Sequence, residues 1–235
     1  MSGTVSCGRR NGLIVAIDGP SGAGKSTITR LLAERLGYIH IDTGAMFRAI
    51  ALSARRSGVA VDDDDALAEL CRQADITFIR NDGCCRVMLN GEDVSAAIRT
   101  PEISVLTSGI SAKKPVRDSL LELQRRMGQN GGVILEGRDI GTVVFPDAEV
   151  KFFLSASAEE RGRRRYLELT AKGEAVTLEE TIADALKRDR QDENREHAPL
   201  CRAVDAVEID STGLTIEDVL TTMERIVKGK MKANG

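Results

Sequence analysis

Leu13-Ile14-Val15-Ala16-Ile17-Asp18-Gly19-Pro20-Ser21-Gly22-Ala23-Gly24-Lys25-Ser26 is an apolar run followed at once by a glycine-rich segment of the form G-x-x-x-x-G-K-[ST]. The run has the length and composition of a buried strand, and a helical pattern begins near Lys25. A strand, a glycine loop and a helix start in that order build a phosphate cradle. The glycines let backbone N–H groups surround phosphate oxygens, and the helix adds the positive end of its dipole. In such a loop Lys25 reaches the β- and γ-phosphates of a nucleoside triphosphate and the Ser26 hydroxyl is placed to ligate Mg²⁺. Gly19, Pro20, Ser21, Gly22, Ala23, Gly24 and Thr27 supply the rest of the cradle.

Working outward, Ile28, Leu31, Leu32 and Leu36 recur at helical spacing and Gly37 stands where a helix ends. Residues 38–41 read as a second strand, after which Asp42 or Thr43 caps a helix through Met46, Phe47, Ile50, Ala51 and Leu52 to about residue 57. This β-α-β-α opening predicts a parallel sheet. The acidic run 62–65 reads as a solvated helix start. Ile76-Thr77-Phe78-Ile79 and Arg86-Val87-Met88-Leu89 then alternate like strands around Asn81-Asp82-Gly83, a hairpin signal. A hairpin inside a βα alternation predicts an inserted antiparallel module. Helical signals fill 100–127, strands are expected at 133–135, 150–154 and 207–210, and helices at 178–190 and 216–227. The expected fold is α/β, a P-loop doubly wound parallel sheet forming one domain over 13–235 behind a tail at 1–12. Its core spans 13–58 and 130–235, with an insertion at 59–129 and a lid at 157–176.

Composition narrows the setting. With 235 residues and 42% hydrophobic content the chain can bury a sizeable core. Its apolar runs are far shorter than the roughly 20 residues that span a bilayer, and residues 1–12 lack the apolar stretch of a signal peptide. A cytoplasmic protein without a membrane partner is expected. Five cysteines without a C-x-x-C pair suggest reduced thiols rather than a disulfide framework or a zinc site. A net charge of −3 argues against a general nucleic-acid binder, while arginines cluster at 161–165 and 188–195, a pattern suited to a small polyanion.

Open parallel sheets bind ligands at the carboxyl ends of their strands, so polar residues there carry the chemistry. Asp42-Thr43-Gly44 with Arg48 could seat a phosphate on a helix N-terminus. Glu136 ends the third core strand, where P-loop proteins place an acid near Mg²⁺, and Arg138 and Asp139 follow it. Arg188, Asp192 and Arg195 share one helix face, as do Arg161, Arg164 and Arg165 on a segment that could close over a triphosphate.

Over about 13–227 the chain resembles the bacterial cytidylate kinases, of the nucleoside monophosphate kinase family. The phrases that carry the resemblance are Ile17-Asp18-Gly19-Pro20-Ser21-Gly22-Ala23-Gly24-Lys25, Asp42-Thr43-Gly44, and Gly91-Glu92-Asp93-Val94-Ser95 with Ile98-Arg99-Thr100. The most specific is Gly137-Arg138-Asp139-Ile140-Gly141-Thr142-Val143-Val144-Phe145-Pro146-Asp147-Ala148. The resemblance implies transfer of the ATP γ-phosphoryl group to CMP or dCMP, with Mg²⁺, by a monomer. By matching position it implies that Thr43, Arg48, Arg138 and Arg195 hold the acceptor phosphate, Arg188 and Asp192 the sugar, and Ser108, Arg117 and Asp139 the base. Lys25, Arg138, Arg164 and Arg195 would be catalytic, Arg161 and Arg165 would join Arg164 on the donor phosphates, and Ser26 and Glu136 would face the metal. A carboxylate beside an arginine matches the 4-amino donor and the N3 and O2 acceptors of cytosine, whereas uracil would turn an acceptor toward the carboxylate. The chain departs from the pattern at Ser26, where many of these proteins have glycine. Thr43 likewise stands where serine is frequent, and Glu136 where some have aspartate. A P-loop kinase for another small acceptor is the alternative, and a guanine-dependent switch lacks its N-K-x-D stretch.

Overall fold

The computed structural model describes residues 12–81 and 84–233. Residues 1–11 of the expected tail and the turn residues Asp82 and Gly83 lie outside the described residues. Five parallel strands form the central sheet in the order β2-β6-β1-β7-β8. They are β1 (Ile14–Asp18), β2 (Ile39–Asp42), β6 (Val133–Gly137), β7 (Val150–Ser155) and β8 (Val207–Asp210). The strands at the centre are buried on both faces, which is why their sequences are apolar almost throughout.

On one face, Val15, Ile17, Ile134, Phe152 and Leu154 pack with Ile28 and Leu32 of α1 (Lys25–Leu36) and with Leu220, Met223 and Val227 of α8 (Ile216–Ala233). On the other, Ala16, Ile41, Val133 and Leu135 pack with Ile140 and Val144. Those two belong to a five-residue π-helix (Ile140–Val144) that the sequence pattern did not foretell. Gly37 ends α1 at φ 67, as its position predicted.

The segment 59–129 carries α3 (Asp64–Gln73), a separate antiparallel sheet of β3 (Ile76–Asn81), β4 (Cys84–Leu89) and β5 (Glu92–Asp93), and the helices α4 (Pro101–Ile110) and α5 (Lys114–Gly128). Its core is shared with α2 (Thr43–Ser57): Met46, Ile50 and Ala54 meet Leu67, Ile98, Ile103 and Leu120. Thus the helix that starts at the carboxyl end of β2 is also the bed on which the insertion rests. Asp42 and Asp63 cap α2 and α3 through Ala45 and Ala66 N–H groups, in keeping with the acidic run as a helix start. Helical signal over 100–127 resolves into two helices with a break at 111–113, where Pro115 at the start of α5 fits only a first turn.

The helices α6 (Ala158–Ala171) and α7 (Leu178–Asn194) form an antiparallel hairpin over the carboxyl end of the sheet. A Cβ on Gly162 would lie 2.4 Å from the Ile182 side chain and 2.8 Å from its Cα, so only glycine lets the two backbones approach this closely. Among the described residues, no helix is long and apolar enough to cross a membrane, and Cys71 and Cys201 are free thiols.

Candidate active site

The glycine loop joins β1 to α1 with Gly22 and Gly24 at φ 80 and 91, a region L side chains avoid. A Cβ on Gly19 would sit 2.0 Å from the Leu154 carbonyl oxygen, so the loop is pressed against β7. Lys25 Nζ donates to the carbonyls of Gly19 at 2.7 Å and Pro20 at 2.6 Å. Burial, and then the charge of Arg138, pull this ammonium down to about 7. Ser26 and Thr27 at the helix start are exposed.

Two of the four arginines on α6, Arg161 and Arg164, are tied to the loop. Arg161 is buried, bidentate to Asp189 of α7 at 2.9 and 2.5 Å, and donates to Ser21 O at 3.1 Å. Arg164 donates to Ala23 O at 3.4 Å, to Ser211 Oγ at 3.2 Å and to Ser211 O at 2.9 Å. Arg165 instead pairs with Glu168 at 2.9 Å and faces the side of α7 that carries Arg188.

At the end of β6, Glu136 is 4% exposed and its Oε2 accepts from Ser26 Oγ at 2.8 Å. The other oxygen, Oε1, accepts from His40 Nε2 at 2.8 Å. Thr43 Oγ1 donates to the Glu136 carbonyl at 2.7 Å, which fixes the start of α2 against β6. The hydroxyl and carboxylate beside the glycine loop are hard oxygen donors, and they fit Mg²⁺. No group of three or more acids, histidines or cysteines among the described residues would hold an ion by itself, so phosphate oxygens would complete the coordination.

Beyond β6, Arg138 Nε donates to Asp192 Oδ2 at 2.8 Å. Arg195 follows the last residue of α7 rather than lying within the helix, yet its guanidinium turns back to within 3.7 Å of Asp192 and 3.6 Å of Asp139. Its Nε donates to Ala198 O at 2.6 Å, while Nη2 is buried without a hydrogen-bond partner. Burial and the neighbouring Arg117 charge bring Arg195 down to about 10. Arg188, half-buried, is lowered by burial and then by Arg165, with Asp184 opposing and Arg48 and Arg138 adding to the effect. Arg48 itself lies 3.9 Å from Asp42. Clustered, partly desolvated guanidinium groups whose charges oppose one another make a site for an anion.

Beside this cluster Arg117 Nη2 donates to Asp139 Oδ2 at 2.5 Å and Nη1 to Ser111 O at 2.9 Å. The guanidinium lies 5.4 Å from the centroid of the Phe47 ring, on α2. Ser108 is half-buried on α4, its hydroxyl donating to Ser104 O at 3.4 Å, and its carbonyl accepts from Ser111 Oγ at 3.2 Å. It is therefore linked to the Arg117 and Asp139 pair through Ser111.

Sequence reasoning missed His40, Phe47, Asp189 and Ser211, none of which belongs to a local motif. Asp18 lay inside the quoted phrase without a role. Its two oxygens accept from Ile140 N–H at 2.8 Å and Gly141 N–H at 2.7 Å, so it joins the glycine loop to the segment that follows Arg138 and Asp139.

A glycine loop at one strand end, faced by Arg138 from the end of β6 and by arginines of α2, α5 and α7, defines a P-loop phosphotransferase. The sequence profile described as cytidylate kinase matches residues 15–229. A Geobacter species has a protein named cytidylate kinase that is 74% identical over 223 residues, covering 95% of this chain and 96% of that protein. Another of that name, from Geobacter sulfurreducens, is 71% identical over 229 residues, covering 97% and 98%. Among solved structures, an uncharacterized protein from Eubacterium ventriosum superposes with a TM-score of 0.53 at 10% identity, covering 93% of this chain and 99% of that one, a likeness of fold alone. The chain belongs to the cytidylate kinase family.

Proposed function

We propose that the chain transfers the γ-phosphoryl group of ATP to CMP or dCMP, giving ADP and CDP or dCDP. The observation that carries this reading is the meeting of two cationic halves: the glycine loop with Lys25 on one side, and the Arg138, Arg188 and Arg195 cluster beside the Arg117 and Asp139 pair on the other. Family membership points to the same reaction.

In this reading the acceptor phosphate sits among Thr43, Arg48, Arg138 and Arg195, and the Nη2 of Arg195, which lies 3.6 Å from Asp139 without a hydrogen-bond partner, gains one. Arg188 and Asp192 take the sugar. Asp139 accepts from the 4-amino group of cytosine while Arg117 and Ser108 face the N3 and O2 acceptors. An acceptor phosphate oxygen attacks the γ-phosphorus of ATP; the bond to the β-bridging oxygen breaks, and the electron pair leaves with ADP. That oxygen is already anionic, so no side chain has to remove a proton from it. Lys25 exchanges its two loop carbonyls for phosphate oxygens, and Arg164 adds charge as the α6 and α7 hairpin closes and excludes water. Ser26 and Glu136 would hold Mg²⁺, which when bound neutralises charge on the phosphate oxygens. The chain acts in the cytoplasm as a monomer.

The test is ADP release measured across CMP, dCMP, UMP, AMP, GMP and no acceptor. Turnover with CMP and dCMP well above the others is expected. Preference for a purine monophosphate, or equal rates without acceptor, overturns the assignment.

A further inference from the structure

His40 is a polar residue in the middle of β2, a strand whose neighbours are apolar, and the reaction as described leaves it without a task. In the parallel pairing His40 lies opposite Ile134, and Asp42 lies opposite Glu136. Residues two apart share a face of a strand, so the imidazole and the Glu136 carboxylate project from the same side of the sheet as diagonal neighbours. That side is the one on which α1 begins, with Ser26 in its first turn. The result is a chain of three groups: His40 Nε2 to Glu136 Oε1 at 2.8 Å, and Glu136 Oε2 to Ser26 Oγ at 2.8 Å. The His40 side chain is 15% exposed and that of Glu136 5%, so little water competes for the contact between them.

We propose that His40 is a positioning residue for Glu136, fixing the carboxylate so that one oxygen faces the glycine loop and the metal–nucleotide complex. A glutamate has three side-chain torsions, and its terminal torsion is broad and unstaggered. Anchored at Oε1, the group can no longer rotate Oε2 away from the helix start. The imidazole donates one N–H to an anionic acceptor, a charge-assisted bond that also holds its own ring. Partners of this kind behind a metal-facing carboxylate commonly change metal affinity without touching the ion. The inference rests on the placement of Glu136 beside the metal–nucleotide complex.

The experiment measures Mn²⁺ affinity of the intact protein in complex with a non-hydrolysable ATP analogue, by electron paramagnetic resonance of free Mn²⁺. Affinity of the metal-free analogue is measured in parallel by calorimetry. His40→Leu is expected to weaken Mn²⁺ binding about tenfold while metal-free analogue binding stays within twofold. His40→Gln, which keeps an N–H donor, recovers most of the loss. Unchanged Mn²⁺ affinity in a folded His40→Leu variant overturns the inference, as does equal loss of both affinities in both variants. Glu136→Gln separates the two layers: if it too leaves Mn²⁺ affinity unchanged, the placement of Glu136 fails first. If it weakens binding while His40→Leu does not, only the role of His40 fails.

Discussion

Arg117 and Asp139 are each close to nine-tenths buried and held 2.5 Å apart, with Phe47 under the guanidinium and Ser111 O taking a second N–H. Neither group can leave without stranding the other. A nucleobase presented to this pair is read by direction of hydrogen bonding, because each wrong donor or acceptor remains unpaired in a poorly solvated place. Arg117→Ala is therefore expected to lower kcat/KM for CMP by about a hundredfold with the KM for ATP changed by less than threefold. Steady-state kinetics with each substrate varied in turn checks this; equal loss for both substrates would place Arg117 outside the acceptor half. In the sequence Asp139 stands within the Gly137–Ala148 phrase, while Arg117 enters only as a position implied by the resemblance. Their pairing was not visible, since the bond joins residues 22 positions apart on different elements.

The α6 and α7 hairpin divides its arginines between two kinds of work. Arg161 is locked by Asp189 and the Ser21 carbonyl, whereas Arg164 is 30% exposed: its Nε donates to Glu160 at 2.8 Å, and its two terminal nitrogens rest on carbonyl and hydroxyl oxygens that a phosphate can replace. Removing Arg161, itself buried, leaves the partly buried Asp189 carboxylate unpaired, at a cost on the order of 1–3 kcal/mol. Arg161→Ala should thus lower the melting temperature well below that of Arg164→Ala. Arg164→Ala should instead lower kcat while CMP affinity measured without ATP stays the same. Calorimetric melting and CMP titration of both variants distinguish these roles, and the reverse pattern would exchange them. Spacing alone had set Arg161, Arg164 and Arg165 side by side on one face; all three lie on α6, but only the first two reach the glycine loop. It could not tell that Asp189, 28 residues on, would claim the first of them. The same limit explains the other surprises at this scale. Apolar periodicity and capping residues delivered α1, α2 and the five parallel strands. The π-helix at Ile140–Val144 and the two-residue β5 carry no periodic signal of their own. The first is held by the hydrogen bonds from Ile140 and Gly141 to Asp18, the second by its pairing with β4.

At the scale of the molecule, Asp18 binds the two halves of the site into one frame across 122 residues of sequence. Its carboxylate is buried, and burial, opposed by the two N–H donors, pushes it up from 3.8 to about 6. The unfolded chain releases this proton near 3.8 and the folded chain near 6, so between those values the native state holds the extra proton. The contribution of this group to stability therefore falls as pH rises through that window, by roughly 3 kcal/mol for a two-unit difference, and is level above it. Asp18→Asn removes this component: the difference in unfolding free energy between wild type and variant should change from pH 4 to 6 and be constant from 6.5 to 8. Denaturant titrations across that range provide the check. A constant difference throughout would mean that the carboxylate stays ionised in the fold.

The strand order has a consequence for how the chain comes together. β1, which carries the glycine loop, finds its two neighbours in strands that begin only at Val133 and Val150. Contacts so distant in sequence close late and slowly, because the intervening loop entropy is lost before the contact forms. On the ribosome the loop from Gly19 to Gly24 is made early and then waits, without flanking strands, until Ser155 has emerged. ATP can therefore stabilise the finished molecule but cannot template its early folding, and the arrival of β6 and β7 decides when the nucleotide site first exists.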